Sequence, residues 1–239
     1  MRVRTVGVLS TGDMGHSVGR GLREGGFDVV TCLTGRSERT RQLAGEAEIR
    51  DIPEMDDLVR EVDLILAILV PDQAIPLARQ VAASIKRTGT QPAYADCNAI
   101  APNTSKQIDE IISSAGGRYI DAGIIGGPPS QDEQTRFYAS GPHEDILTQL
   151  NGYGILVRPM GGEVGRASGI KMCYASVTKG TAALHTAVLT TAESLGLSRE
   201  LIKELEESGA YSSNKANVFS TNKDELVEGF KKAKDKIIQ

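Results

Sequence analysis

Along the chain, the alternation of polar and apolar positions in RVRTVGVLS tightens into an apolar run. Gly12 and Gly15 then interrupt it, and Val18 and Leu22 begin a helical spacing. That order predicts a strand, a glycine turn and a helix reaching about residue 24, closed by Gly25 and Gly26. The same reading gives strands at 28–33, 49–52 and 62–70, with helices at 39–46 and 55–60 between them. Of these, 62–70 (VDLILAILV) is almost continuously apolar, as a parallel strand covered on both faces must be. A helix at 72–86, a strand at 93–96, a helix at 102–114 and a strand at 118–123 follow. Further strands at 137–140 and 155–158 complete the series.

Strands that alternate with helices of this length predict an α/β fold with a doubly wound parallel sheet, because right-handed crossovers lay helices on both faces. From residue 164 the pattern changes to a stretch rich in alanine and small residues, read as one long helix to about 195. Gly196 suits the position after a helix end, and Ser198 an N-cap for the next helix, RELIKELEES. A last helix is expected at 224–238. The predicted organisation is a sheet domain over 1–163 and a smaller all-helical domain over 164–239.

Composition narrows the function classes. Hydrophobic residues make up 40% of the 239 and charged residues 24%, as in a soluble globular protein, and the formal net charge of −4 leaves no basic footprint for nucleic acid or an acidic membrane. There is no tryptophan, and aromatics at 4% are too few for base-stacking platforms. Cys32, Cys97 and Cys173 are far apart and form no C-x-x-C, and only His16, His143 and His185 could join them, so neither a disulfide framework nor a zinc site is expected. The N-terminus runs straight into the first strand and no 18-residue apolar span follows, which points to a reducing, cytoplasmic setting.

A strand, a glycine turn and a helix start are what a dinucleotide pyrophosphate needs. Small residues let the backbone approach it, and the helix presents free N–H groups and its positive dipole end. Here the G-x-G-x-x-G positions are Ser10, Gly12 and Gly15, so the first glycine is missing and the fingerprint alone is weak. After strand two comes TGRSER, with no acid at the position that selects NAD. Arg36 and Arg39 could neutralise a 2′-phosphate and Thr34 or Ser37 could hydrogen-bond it, so NADP is favoured over NAD. The bland alternative is two solvated arginines on an ordinary turn.

Five stretches, in order, resemble the β-hydroxyacid dehydrogenase superfamily, which includes 3-hydroxyisobutyrate and 6-phosphogluconate dehydrogenases. GVLSTGDMGHSVGRGL resembles the family's opening glycine segment, with Met14 and Gly15 matching. LVPDQA resembles its apolar strand followed by P-D. DCNAIAP resembles D-x-S-T-x-x-P, with Asn98 and Ala99 in place of serine and threonine. YIDAGIIGGPP resembles D-A-P-V-S-G-G, with Asp121, Ala122, Gly126 and Gly127 matching and Ile125 in place of serine. GRASGIKMCYAS resembles the segment that carries the family's catalytic lysine, with Ala175 where an asparagine is usual.

The resemblance implies a Rossmann-type domain followed by a short helical one, and a hydride exchanged between the nicotinamide and a small β-hydroxy acid or its keto or semialdehyde form. Lys171 maps to the lysine that takes or gives the hydroxyl proton, a task a lysine performs when burial brings its pKa near the working pH. A lysine without that context is usually a solvated surface residue. The cofactor contacts it implies are Ser10, Thr11, Gly12, Asp13, Met14 and Gly15, then Thr34, Arg36, Ser37 and Arg39, then Leu69, Val70 and Asn98. Asn98, Ala99, Gly126, Gly127, Lys171 and Tyr174 are the implied substrate contacts. Lys179 is a reserve candidate. Tyr174 or Thr178 could stand in for the missing asparagine, while Cys173 reads as a small core residue. Asp96 and Asp121 read as structural supports, and Asn103 and Thr104 as helix caps. A homodimer through the long helix is expected, with no nucleic acid or membrane partner. Imine reduction on the same scaffold, whose members lack the lysine, and a redox-inactive NADP(H)-binding regulator are the competing readings.

Overall fold

The computed structural model describes residues 2–130 and 134–208; the predicted helix at 224–238 lies outside them. Eight strands, β1 (Thr5–Leu9), β2 (Asp28–Thr31), β3 (Arg50–Asp51), β4 (Leu64–Ala67), β5 (Ala93–Asp96), β6 (Arg118–Ile125), β7 (Thr135–Ser140) and β8 (Ile155–Pro159), form one sheet in the order 3-2-1-4-5-6-7-8. The first six run parallel in the doubly wound order, with the crevice between β1 and β4 at the point where the order reverses. The expected doubly wound parallel sheet is present, with one added feature at its edge. β7 lies antiparallel to β6 and parallel to β8, so the sheet turns over after β6.

Helices α1 (Asp13–Glu24), α2 (Glu38–Glu46), α3 (Met55–Glu61), α4 (Ala74–Thr88) and α5 (Pro102–Ser113) make the crossovers, and a one-turn α6 (Glu144–Thr148) precedes β8. The apolar run of β4 explains itself in this setting: Leu64 and Leu66 join one core layer, Ile65 and Ala67 the other. Smaller corrections concern helix ends. Ala101 is the N-cap of α5 and Pro102 its first residue, a position where the missing N–H costs nothing, so Asn103 and Thr104 lie inside the helix and do not cap it.

By contacts the chain divides into a unit of residues 1–172 and a second from Cys173 onward, with the division inside the 29-residue α7 (Arg166–Ser194). In the second unit, Gly196 adopts φ +71° and the Leu197 N–H reaches the Ala192 carbonyl at 2.8 Å, a glycine-closed helix end as expected. Ser198 is the first residue of α8 (Ser198–Glu207), whose N-cap is Leu197.

Candidate functional site

Parallel pairing of β1, β2, β4, β5 and β6 puts the carboxyl ends of all five on one sheet edge, and most of the sequence-predicted residues follow those ends directly. After β1, the Ser10 N–H donates to the Ile68 carbonyl at 3.2 Å, which ties this loop to the one after β4. Glu48 is the only non-glycine at positive φ among the described residues, so the Ser10 backbone does not need the glycine it lacks.

The two glycines that remain do different work. A Cβ on Gly15 would sit 1.9 Å from the Ser10 carbonyl oxygen, so bare backbone is required for α1 to rest on the loop. A Cβ on Gly12, the N-cap of α1, would meet nothing within 4 Å, and that open approach together with the first-turn N–H groups suits a dinucleotide pyrophosphate. Thr11 is fully buried and its hydroxyl donates to the Thr40 carbonyl at 3.1 Å, so its side chain supports the loop.

After β2, the Leu33 N–H donates to Asp51 Oδ1 at 2.9 Å, and Gly35 turns the chain at φ +72°. Several hydroxyl and cationic groups expected at a 2′-phosphate are already engaged. Thr34 Oγ1 donates to the Pro53 carbonyl at 2.8 Å, and Ser37 caps α2 by accepting from the Thr40 N–H at 3.3 Å. Arg39 pairs with Asp13 at 2.6 Å, joining two predicted cofactor residues to each other. Arg36 is half-buried beside the α2 N-terminus and makes no ion pair among the described residues. Leu69 is half-buried and Val70 is exposed.

Asn98 joins two of these loops. Its Oδ1 accepts from the Leu69 N–H at 2.7 Å, while Nδ2, in a residue only 2% exposed, makes no hydrogen bond. Below it, Asp96 Oδ1 accepts from the Asn98 N–H at 3.0 Å and Oδ2 has no partner. Burial pushes the Asp96 carboxyl up to about 7, with Asn98 drawing it down and the Asp121 charge on the next strand raising it further. Its native value lies above the unfolded value of about 3.9, so the folded chain holds a proton that the unfolded chain releases. Stability from this group is therefore fully present below about pH 4 and is lost as pH rises toward 7. Asp96→Asn, which keeps the shape of the protonated acid, is expected to be neutral at pH 4 and to stabilise by on the order of 3 kcal/mol at pH 8. Urea unfolding at both pH values measures this, and no gain at pH 8 contradicts it.

At the end of β6, Ile125 is 4% exposed and Gly126, at φ +123°, leads into Gly127, whose carbonyl accepts from Thr135 Oγ1 at 2.5 Å. Gly126 and Gly127 are exposed, and Ala99 is half-buried. Lys171 is half-buried on α7, and a Cβ on Gly123 would lie 3.0 Å from Lys171 Cβ and 2.8 Å from the Ala167 carbonyl, so α7 crosses β6 at van der Waals contact there. The helix starts on Asp121, whose buried carboxylate accepts from the Gly165 N–H at 2.9 Å and the Ser168 N–H at 3.1 Å. Asp121 thus supports the helix start from the middle of β6, since the strand runs on to Ile125.

Tyr174, Lys179 and Thr178 belong to the second unit. Tyr174 is 44% exposed, Lys179 is exposed, and the Thr178 hydroxyl donates to the Tyr174 carbonyl at 3.0 Å. Cys173 is exposed, which corrects its reading as a core residue; a small apolar side chain on a helix carries no sign of which face is covered. Residues missed from sequence are Ser105, Ser140 and Ser168, which surround Asp121 from three other elements. No local pattern links them, and only an acid inside an otherwise apolar strand could have drawn attention. No metal-binding group of His, Cys, Asp and Glu occurs among the described residues, and none of their helices is long and apolar enough to cross a membrane.

The family model for the NAD binding domain of 6-phosphogluconate dehydrogenase matches residues 5–151. The chain is 28% identical over 202 residues to an uncharacterized 28.5 kDa protein of Methanothermus fervidus, spanning 84% of this chain and 76% of that one. It is 22% identical over 209 residues to glyoxylate/succinic semialdehyde reductase 1 of Arabidopsis thaliana, spanning 86% and 72%. Among solved structures, the conserved protein MTH1747, described as structurally similar to 3-hydroxyacid dehydrogenases, superposes with a TM-score of 0.72 at 28% identity, over 96% of this chain and 82% of that one. Mycobacterium tuberculosis 3-hydroxyisobutyrate dehydrogenase with L-serine shares the fold at a TM-score of 0.67 and 18% identity, over 93% and 75%.

Proposed function

This chain belongs to the family of the NAD binding domain of 6-phosphogluconate dehydrogenase, and on that footing we propose that it is an NADP-dependent oxidoreductase of small β-hydroxy acids or their keto or semialdehyde forms. One observation carries the reading: Lys171 sits where α7 crosses β6, on the strand that leads into Gly126 and Gly127 at the sheet's ligand edge. The loops after β1 and β2 would hold the dinucleotide, whose nicotinamide would supply or accept the hydride. Lys171 takes the hydroxyl proton in oxidation and returns it in reduction. Asn98 Nδ2 and the N–H groups of Gly126 and Gly127 offer donors for the substrate's acid or carbonyl oxygens. Gly12 and the start of α1 hold the pyrophosphate.

Arg36 supports NADP, since it remains beside the α2 N-terminus once Arg39 is paired with Asp13. Assays with glyoxylate and succinic semialdehyde, the compounds in the Arabidopsis relative's name, are expected to show turnover with NADPH exceeding that with NADH. Arg36→Ala is expected to weaken NADPH binding about tenfold, the loss of one charge-assisted contact, and to leave NADH binding nearly unchanged. Equal affinities for the two cofactors in the wild type contradict the preference.

Exposed Tyr174, Val177, Leu184 and Val188 recur at heptad positions of α7, which supports a homodimer. Sedimentation is expected to give a two-chain particle that Leu184→Glu converts to one chain; a monomeric wild type contradicts it. The imine reductase reading has fold likeness behind it, for instance to the Myxococcus stipitatus enzyme at 18% identity and a TM-score of 0.62, but Lys171 favours acid-base chemistry on an oxygen.

A further inference from the structure

We infer that Asp121 is the positioning residue for Lys171, seating the start of α7 on β6. This rests on the reading of Lys171 as the proton-transfer group.

Asp121 is fully buried in the middle of the eight-residue β6, where an acid has no reason to be unless it is held. Every neighbour that touches its two oxygens is a donor. Oδ1 accepts from Ser105 Oγ of α5 at 2.9 Å and from Ser168 Oγ of α7. Oδ2 accepts from Ser140 Oγ of β7 at 2.8 Å and from the Gly165 and Ser168 N–H groups. Ser140 Oγ also accepts from the Ala167 N–H at 3.0 Å. The carboxylate therefore takes up N–H groups that the first turn of α7 leaves without helical partners, and it lies where the helix dipole favours an anion.

Lys171 follows Ser168 by three residues, so the turn Asp121 fixes is the turn from which the lysine projects. Gly123 lies two residues along the same face of β6, about 7 Å further toward the ligand edge, and its bare Cα admits Lys171 Cβ. Asp121 sets where the helix begins, and Gly123 sets how closely it lies. Ionisable groups on the surrounding elements include Tyr94 and Asp96 on β5, Arg118 and Tyr119 on β6, Arg136 and Tyr138 on β7, Lys106, Asp109 and Glu110 on α5 and Arg166 on α7. Asp121 is the one hydrogen-bonded to the helix itself.

The test uses the full chain and needs no substrate. Lysine acetylation by acetic anhydride is followed by peptide mass spectrometry across a pH series, with Lys179 as internal reference. In Asp121→Asn the Lys171 midpoint is expected to move by on the order of one pH unit, since the turn that sets the lysine's surroundings is no longer held on β6. The Lys179 midpoint is expected to stay in place. An unmoved Lys171 midpoint overturns the role of Asp121.

Should Asp121→Asn fail to fold, Ser168→Ala and Ser105→Ala carry the test, because each deletes one bond to the same oxygen but only the first removes one of the bonds between Asp121 and α7. With glyoxylate and NADPH, Ser168→Ala is expected to lower kcat several-fold with KM nearly constant, and Ser105→Ala to change neither. Equal losses in the two variants overturn the role. Wild-type turnover in Lys171→Ala, by contrast, overturns the reading of the reaction itself.

Discussion

Replacing Lys171 with alanine is expected to lower hydride transfer by 10² to 10⁴-fold, the range that a positioned acid-base group contributes. The cofactor loop, some 160 residues earlier in the chain, is untouched by the change, so NADPH should bind the variant as it binds the wild type. Stopped-flow reduction of glyoxylate or succinic semialdehyde, with cofactor titration by fluorescence, measures both quantities. Loss of turnover with binding intact places the lysine in the chemistry. Turnover within threefold of wild type removes the lysine from the chemistry, whereas no turnover in the wild type itself would leave the redox-inactive regulator as the better account. A fall in both quantities together would instead report a damaged fold, which thermal unfolding of the variant distinguishes.

The second large effect separates two glycines that the sequence presents as one motif. Gly15→Ala forces a methyl carbon to within 1.9 Å of a backbone oxygen, so α1 must lift from the loop. Overpacking of this kind costs about 3 kcal/mol, and in a chain of this size that lowers Tm by roughly 6–12 °C. Gly12→Ala meets no protein atom within 4 Å and is expected to leave Tm almost unchanged, while its methyl stands where the pyrophosphate approaches and weakens NADPH binding at least tenfold. Calorimetry and cofactor titration on the two variants test the division. Similar Tm values for both, or full cofactor affinity in Gly12→Ala, would refute it.

What could be read from the sequence followed from local periodicity. Continuous apolar character marked β4, whose residues divide between the two core layers, and Gly12 and Gly15 marked the turn into α1 because only backbone geometry places glycines there. The reversal of β7 was not readable, since alternation along residues 137–140 is the same whichever way the strand runs. The five-residue α6 is too short to show a period. At the candidate site, the segment around Lys171 singled that lysine out for the proposal, but the pairing of Arg39 with Asp13 joins residues 26 positions apart. The donors around Asp121 come from residues 105 to 168. Both depend on which elements become neighbours, and hydropathy does not encode that.

The hold that Ile68 keeps on the cofactor loop has a consequence for biosynthesis. Leu9 and Ser10 are fixed by exchange with Ile68, whose N–H donates to the Leu9 carbonyl at 2.5 Å and whose carbonyl accepts from Ser10. β1 also pairs with β4 across nearly 60 residues, Val6 opposite Leu64. A ribosome-bound chain therefore cannot close its dinucleotide loop when β1, α1 and β2 emerge, although the glycine motif is complete by then. It must wait until β4 has left the exit tunnel. Contacts at such sequence separation are slow to form, and until they do β1 offers an unpaired apolar edge to other nascent chains. Binding of the cofactor is thus a property the growing polypeptide acquires late, and a nucleotide in the cell can favour only molecules that have already passed that step.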